Sequence, residues 1–168
     1  AATASLKSAF EVVVITQNVD ELHERAGSSK VIHLHGQRAY APCTSDRPTR
    51  YRIENSAISL GQLCEAGTQL RPGIVWFGEE TLHMDEARWH VSTAARVLVI
   101  GTSLAVQPAA SLVKAARGRA EKVLVSLEMD RVPYGFTSLQ GPATAVVPRL
   151  AKKWLTGARE GSNSPREA

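Results

Sequence analysis

Val12-Val13-Val14-Ile15 is an uninterrupted β-branched run, and the polar cluster Thr16-Gln17-Asn18-Val19-Asp20 follows it at once. Such a run suits a strand covered on both faces, as in a parallel sheet flanked by helices, rather than a half-exposed strand of alternating polarity. The polar groups then emerge at the strand's carboxyl end, where open α/β sheets bind their ligands. Two further runs share the design: Val97-Leu98-Val99-Ile100 leads into Gly101-Thr102-Ser103, and Val123-Leu124-Val125 into Ser126-Leu127-Glu128.

Helical spacing separates the runs. Ala87, Val91 and Ala94 recur on one face between Asp85 and Ala95. Pro108 opens a segment from Ala109 to Arg117 whose apolar face is Leu112, Val113 and Ala116, with Gly118 as the expected C-cap. Leu6 and Phe10, four residues apart, suit a short helix at the front, and Ala143 to Leu155 suits a helix pair broken at Pro148. Strands alternating with helices imply parallel pairing through right-handed crossovers, hence a doubly wound α/β sheet. Between Gly36 and Leu70 the periodicity fails, and a structureless connection of that length is unusual in a compact domain, so residues 37–69 read as a small inserted subdomain.

With 43% hydrophobic and 21% charged residues over 168 positions, a globular body with a real core is expected. No apolar run approaches the roughly 18 residues of a membrane helix, so no membrane partner is expected. The net charge of +4 comes from 20 basic and 16 acidic residues that are scattered; Arg47, Arg50 and Arg52, the nearest approach to a patch, read as a solvated loop, and no nucleic-acid partner is expected. Two cysteines make no disulfide framework, which points to a reducing, cytoplasmic compartment.

Several residues carry more than one reading. His35 can take a proton near neutral pH and so act as a general base, but His33 and His35 at i and i+2 also have the geometry of a metal pair, and either can be a hydrogen-bonded interior residue. Asp20 suits the N-cap of a helix from Glu21 to Ala26. Ile74-Val75-Trp76-Phe77 fits an ordinary buried strand with both aromatic rings in the core, and equally a strand that receives an extended peptide.

Four blocks, TQNVDELHERAG (residues 16–27), HLHG (33–36), LRPGIVWFGE (70–79) and GTSLAVQPAASLV (101–113), stand in this order. Over Val12 to Leu150 the chain resembles the sirtuin family of NAD-dependent protein deacylases, and the WFGE wording is similar to the class of bacterial deacylases and removers of succinyl and malonyl groups. The resemblance implies NAD as cofactor and acyl-lysine proteins or peptides as partners, with the acyl group passed to ADP-ribose and nicotinamide released. It makes His35 the base acting on the ribose, with Gly36 leaving backbone room beside it. It assigns Gln17, Asn18, Val19 and Asp20 to the nicotinamide pocket, where an amide and a carboxylate match the donor and acceptor of a carboxamide. Gly101, Thr102 and Ser103 are implied for the phosphates and ribose. Ser126, Leu127 and Glu128 stand where the family has Asn-x-Glu on the adenosine ribose, the shorter Ser126 replacing Asn, and Ala143 after Gly141-Pro142 lies on the adenine side. Val75, Phe77, Gly78 and Glu79 are implied as substrate contacts, with Arg71 and Pro72 structural.

In the family the insert carries zinc between two C-x-x-C pairs. Here Cys43 has Asp46 where its partner would fall and Cys64 has none close by, so the pair reads as the remnant of a zinc site and no metal is expected. The insert is then expected to be held by side-chain packing alone, with a Cys43–Cys64 disulfide left open under oxidation. Neither cysteine has a basic neighbour that would make it a nucleophile. The implied fold is α/β, a Rossmann-like doubly wound parallel sheet over 1–36 and 70–156 that lacks its first strand and glycine-rich loop, with subdomain 37–69 and a disordered tail at 157–168. Only Ala1 to Glu11 precede the first run, leaving no counterpart of the family's GAG-x-S loop, FR loop or Tyr-x-x-Arg pair, so the chain reads as N-terminally truncated. Two functions stay open: a lysine deacylase removing acetyl, succinyl or malonyl groups, and an inactive remnant that binds a peptide or partner.

Overall fold

The computed structural model describes residues 2–45, 50–53, 57–128 and 131–162, with side chains through residue 158. Its strands are β1 (Val14–Thr16), β2 (Val31–His33), β3 (Tyr40–Pro42), β4 (Arg50–Arg52), β5 (Arg96–Ile100), β6 (Glu121–Ser126) and β7 (Thr137–Gln140). The helices are α1 (Ala2–Ser5), α2 (Leu22–Arg25), α3 (Met84–Thr93) and α4 (Ala143–Ser162), with 3-10 segments at Leu6–Ser8 and Ala109–Ala115. Among the described residues no helix is long and apolar enough to cross a membrane.

The β-branched runs do form parallel strands. β1 pairs with β2, Thr16 opposite His33; β5, β6 and β7 form a second parallel sheet in that order, Ile100 opposite Val125 and Ser126 opposite Gln140. Alternate residues of the strands feed two cores. On one face Val12, Leu98, Ile100, Val123 and Val125 meet Leu6 and the α4 residues Val146, Val147, Leu150 and Trp154. On the other, Val13, Ile15, Ile32 and Val97 meet Ala87 and Val91 of α3 and Leu112 of the 3-10 segment. Helices thus cover both faces, which is why these strands tolerate unbroken apolar sequence.

Several expectations need correction. The segment after Pro108 is a 3-10 helix ending at a cap on Ala116, whose N–H bonds Val113 O, rather than an α-helix capped by Gly118. The C-terminal helix is continuous through Pro148. Proline removes one donor in an early turn, and the burial of Val146, Val147, Leu150, Ala151 and Trp154 on one stripe outweighs that loss. The helix also runs past Gly157 to Ser162, so residues 157–162 are helical in place of the expected disordered tail; residues 163–168 lie outside the described residues. β7 was invisible in sequence because Thr137, Ser138 and Gln140 leave only Leu139 apolar.

The insert contains the antiparallel pair β3 and β4, Ala41 opposite Tyr51, over a small core of Ala41, Cys43, Cys64 and Leu70. Packing is not its only tie: Cys43 and Cys64 are joined as a disulfide across 21 positions of sequence. Asp46 and Arg47 lie outside the described residues.

Candidate active site

The loops implied for the cofactor and for His35 leave the carboxyl ends of parallel strands: residues 17–20 after β1, 34–36 after β2, 101–103 after β5, 127–128 after β6 and 141–143 after β7. Parallel pairing makes this unavoidable, since it brings every carboxyl end to the same edge of its sheet.

The loop after β1 is fixed carbonyl by carbonyl. Gln17 O accepts from His35 Nδ1 at 3.2 Å, Asn18 O from His33 Nδ1 at 3.1 Å, and Val19 O from the Arg38 N–H at 2.8 Å. On the donor side the Asn18 N–H bonds Thr16 Oγ1 at 3.0 Å, and Leu34 N–H bonds Thr16 O at 2.9 Å. With its backbone held, Asn18 leaves its side chain exposed. Asp20 Oδ1 accepts from the Leu22 N–H at 3.0 Å, so it does brace the start of α2, which the structure makes only four residues long with Glu21 at the N-cap.

The two histidines divide their roles by what their nitrogens face. A carbonyl oxygen only accepts, so His35 donates from Nδ1, and its neutral ring keeps the lone pair on Nε2. That is the nitrogen able to take a proton. His33, 6% exposed, spends both nitrogens inside the protein, Nδ1 on Asn18 O and Nε2 on Glu24 Oε1 at 2.7 Å. A metal pair needs a free nitrogen on each ring, which this arrangement does not offer.

Beside His35 runs the segment implied for substrate. Gly36 bridges Ile74 in antiparallel fashion, and the Val75 N–H bonds His35 O at 2.9 Å. Beyond that single bridge the segment is not a ladder strand, and Trp76 and Phe77 do not enter the core: they are 54% and 101% exposed. Gly78 turns at φ +90° with open space around it. Glu79 does not point freely outward: its carboxylate takes both arms of Arg71, at 2.7 and 2.9 Å, and the Trp76 N–H at 2.9 Å. The Arg71 hydrogen bond and then that of Trp76 hold the Glu79 carboxyl below its usual range, against a small opposing effect of burial.

At the second sheet, Gly101 takes φ +60° and its N–H bonds Val125 O at 3.0 Å. Thr102 Oγ1 accepts from the Leu104 N–H at 3.1 Å, while Ser103 is exposed. The Ser126 hydroxyl donates to Glu128 O at 2.7 Å and so shapes the turn that presents Leu127 and Glu128. Gln140 Nε2 donates to Leu127 O at 3.0 Å, and Gly141 N–H to Ser126 O at 2.9 Å, which ties this turn to Ala143 at the start of α4. Thr16, Glu24 and Gln140 hold the site without having been flagged; each acts through a backbone partner or another side chain, and only the fold brings those together. A cavity of about 520 Å³ lined by Ala2, Ser5, Pro148 and Ala151 contains none of the flagged residues.

Parallel strands covered by helices on both faces, with glycine-bearing loops gathered at the strand ends, define a Rossmann-type α/β fold. The chain belongs to the Sir2 family, whose model matches residues 2–108. It is 49% identical over 111 residues to the NAD-dependent protein deacylase of Helicobacter pylori strain J99, covering 66% of this chain and 47% of that protein. To the NAD-dependent protein deacylase of Escherichia coli K12 it is 38% identical over 166 residues, 96% of this chain and 60% of that one. A Sir2 homologue solved with NAD superposes with a TM-score of 0.80 at 35% identity, covering 94% of this chain and 64% of that chain. A Sir2 with p53 peptide and NAD+ gives 0.73 at 31% identity, covering 97% and 69%. The chain thus spans about half the length of the Helicobacter relatives it matches.

Proposed function

We propose that this chain serves NAD-dependent removal of acyl groups, acetyl or succinyl and malonyl, from protein lysine. The observation that carries the reading is the pinning of His35 Nδ1 by Gln17 O, which leaves Nε2 as a proton acceptor at a strand end beside Asn18 and Asp20. NAD, when bound, supplies the ADP-ribose that receives the acyl group and the nicotinamide that departs.

The residues present fit that group. Asn18 offers an exposed amide and Asp20 a carboxylate for the carboxamide of nicotinamide. Gly101 adds no side chain where a phosphate approaches, and Thr102 and Ser103 bring hydroxyls to the same turn. His35 Nε2 removes a proton from a ribose hydroxyl, a task that suits an imidazole near neutral pH. Val75 and Phe77 flank the acyl-lysine stem, and the exposed Trp76 and Phe77 give a peptide an apolar surface to settle on. With both thiols in the Cys43–Cys64 disulfide, the reading includes no zinc.

The test is titration of the chain with nicotinamide and NAD, together with an assay of acetyl-lysine and succinyl-lysine peptides. The expected pattern is nicotinamide binding that survives His35→Ala and NAD-dependent deacylation that does not. Turnover unchanged in His35→Ala would remove the histidine from the mechanism. Nicotinamide binding with no His35-dependent turnover would leave a binding module in place of an enzyme.

A further inference from the structure

The buried His33 and the partly exposed Glu24 form a pair that the deacylation chemistry does not use. Nδ1 of His33 faces a backbone carbonyl and must donate; Nε2 lies 2.7 Å from Glu24 Oε1, and an ionised carboxylate also only accepts. A ring that donates from both nitrogens is the imidazolium, and in that form the 2.7 Å contact is a short charge-assisted hydrogen bond. Glu24 stands on the four-residue α2, and its other oxygen, Oε2, is buried with no hydrogen-bond partner among the described residues. The short hydrogen bond from His33 Nε2 orients this carboxylate.

We propose that His33 and Glu24 are positioning residues of the nicotinamide pocket: Glu24 keeps His33 doubly protonated and oriented, and His33 fixes the Asn18 carbonyl so that the Asn18 side chain faces the ligand. The assignment of the ligand rests on the function proposed above; the pair itself does not. Asn18 is the position where the device matters, because the peptide before it is held at its N–H by the Thr16 hydroxyl and the peptide after it at the Asn18 carbonyl by His33. Neighbouring carbonyls at Gln17 and Val19 have their own donors, so losing His33 frees one peptide rather than the whole loop.

The experiment reads the ring directly. In the 15N-labelled chain at neutral pH, long-range 1H–15N spectra are expected to show both nitrogens of His33 protonated. Glu24→Gln, which preserves shape and substitutes an amide at a partly exposed side chain, is expected to leave a single protonated nitrogen and to speed hydrogen exchange at the Asn18 amide. Nicotinamide affinity, by calorimetry, is expected to fall about tenfold in Glu24→Gln and in His33→Gln, with the double variant no worse than either single one, as coupled partners require. A singly protonated His33 in the wild-type chain would overturn the proposal, as would Asn18 exchange and nicotinamide affinity both unchanged in Glu24→Gln. If His33→Gln fails to fold, Glu24→Gln alone carries the test. If the wild-type chain does not bind nicotinamide, the ligand assignment fails, while ring protonation and Asn18 exchange still decide whether the pair fixes the loop.

Discussion

Gly36→Ala is the substitution that most sharply separates backbone geometry from side-chain chemistry at this site. Gly36 adopts φ +78°, where a residue with a Cβ loses about 1–2 kcal/mol. The new Cβ would also sit 2.1 Å from Gly73 O, against the 3.4 Å at which ordinary contact begins, so Gly73 must retreat by about 1.3 Å. Gly73 cannot do so freely. Its carbonyl accepts from Gln37 N at 2.8 Å, its N–H bonds Tyr40 O at 2.8 Å, and two residues on Val75 bonds His35 O at 2.9 Å. Loss or lengthening of two of these bonds, at about 1 kcal/mol each, brings the expected destabilisation to about 3–4 kcal/mol. Gly78→Ala is the matched control: φ is +90° but nothing lies within 4 Å of its Cβ, so only the conformational penalty of about 1–2 kcal/mol applies. Urea unfolding followed by tryptophan fluorescence measures both. Gly36→Ala no more destabilising than Gly78→Ala would refute the close approach of the two glycine backbones, and with it the seating of Val75 against His35.

Two other outcomes follow from the frame around the site. Reduction of Cys43–Cys64 by dithiothreitol is expected to lower stability by about 3 kcal/mol, the magnitude typical for a closed loop of this size, and a Cys43→Ser chain should unfold at the same urea concentration with or without reductant. Glu121 is pushed up by burial but drawn down more strongly by hydrogen bonds from Trp154 Nε1 and Arg96 Nε and by the charges of Arg96 and Lys153, so its folded-state value is lowered from 4.5. A lowered carboxyl stabilises the fold fully above that unfolded value, and the contribution disappears as pH falls through the folded one. Urea midpoints measured from pH 6 downward should therefore begin to drop near pH 4.5, and Trp154→Phe should flatten the drop; an identical acid dependence in the two proteins would disprove the link.

What the sequence made legible was whatever is encoded by neighbours in the chain. The unbroken apolar runs at 12–15 and 97–100 announce strands covered on both faces, and the polar residues after them mark where the site must lie. His35 could be singled out by resemblance, but its free nitrogen could not, because that depends on Gln17 O, eighteen positions away. The same limit hid the Glu24 contact of His33, the Arg71 clamp on Glu79 and the Gln140 bond to Leu127: each joins groups that only the fold brings together. The aromatic pair Trp76 and Phe77 shows the converse limit, since its run fits a buried strand and a peptide-receiving strand equally well. Local hydrophobicity puts it in the core, yet the segment lies at the surface, and composition alone contains no sign of that.

The boundary drawn between insert and sheet at Leu70 illustrates why those long-range ties matter. Residues 70–75 run as one zipped segment along both units: Leu70 bridges Cys43, the Arg71 N–H bonds Pro42 O at 3.1 Å, Gly73 bonds Tyr40 and Gln37, Ile74 bridges Gly36, and Val75 bonds His35. The half of that zipper inside the insert rests on the core of Ala41, Cys43, Cys64 and Leu70, which the disulfide closes. The insert therefore supports the segment 70–75 from one end while the histidine loop receives it at the other. What this requires of the insert is geometric, a fixed anchor at Leu70, and a covalent bridge between two cysteines meets that requirement with half the cysteines of a four-thiolate metal site.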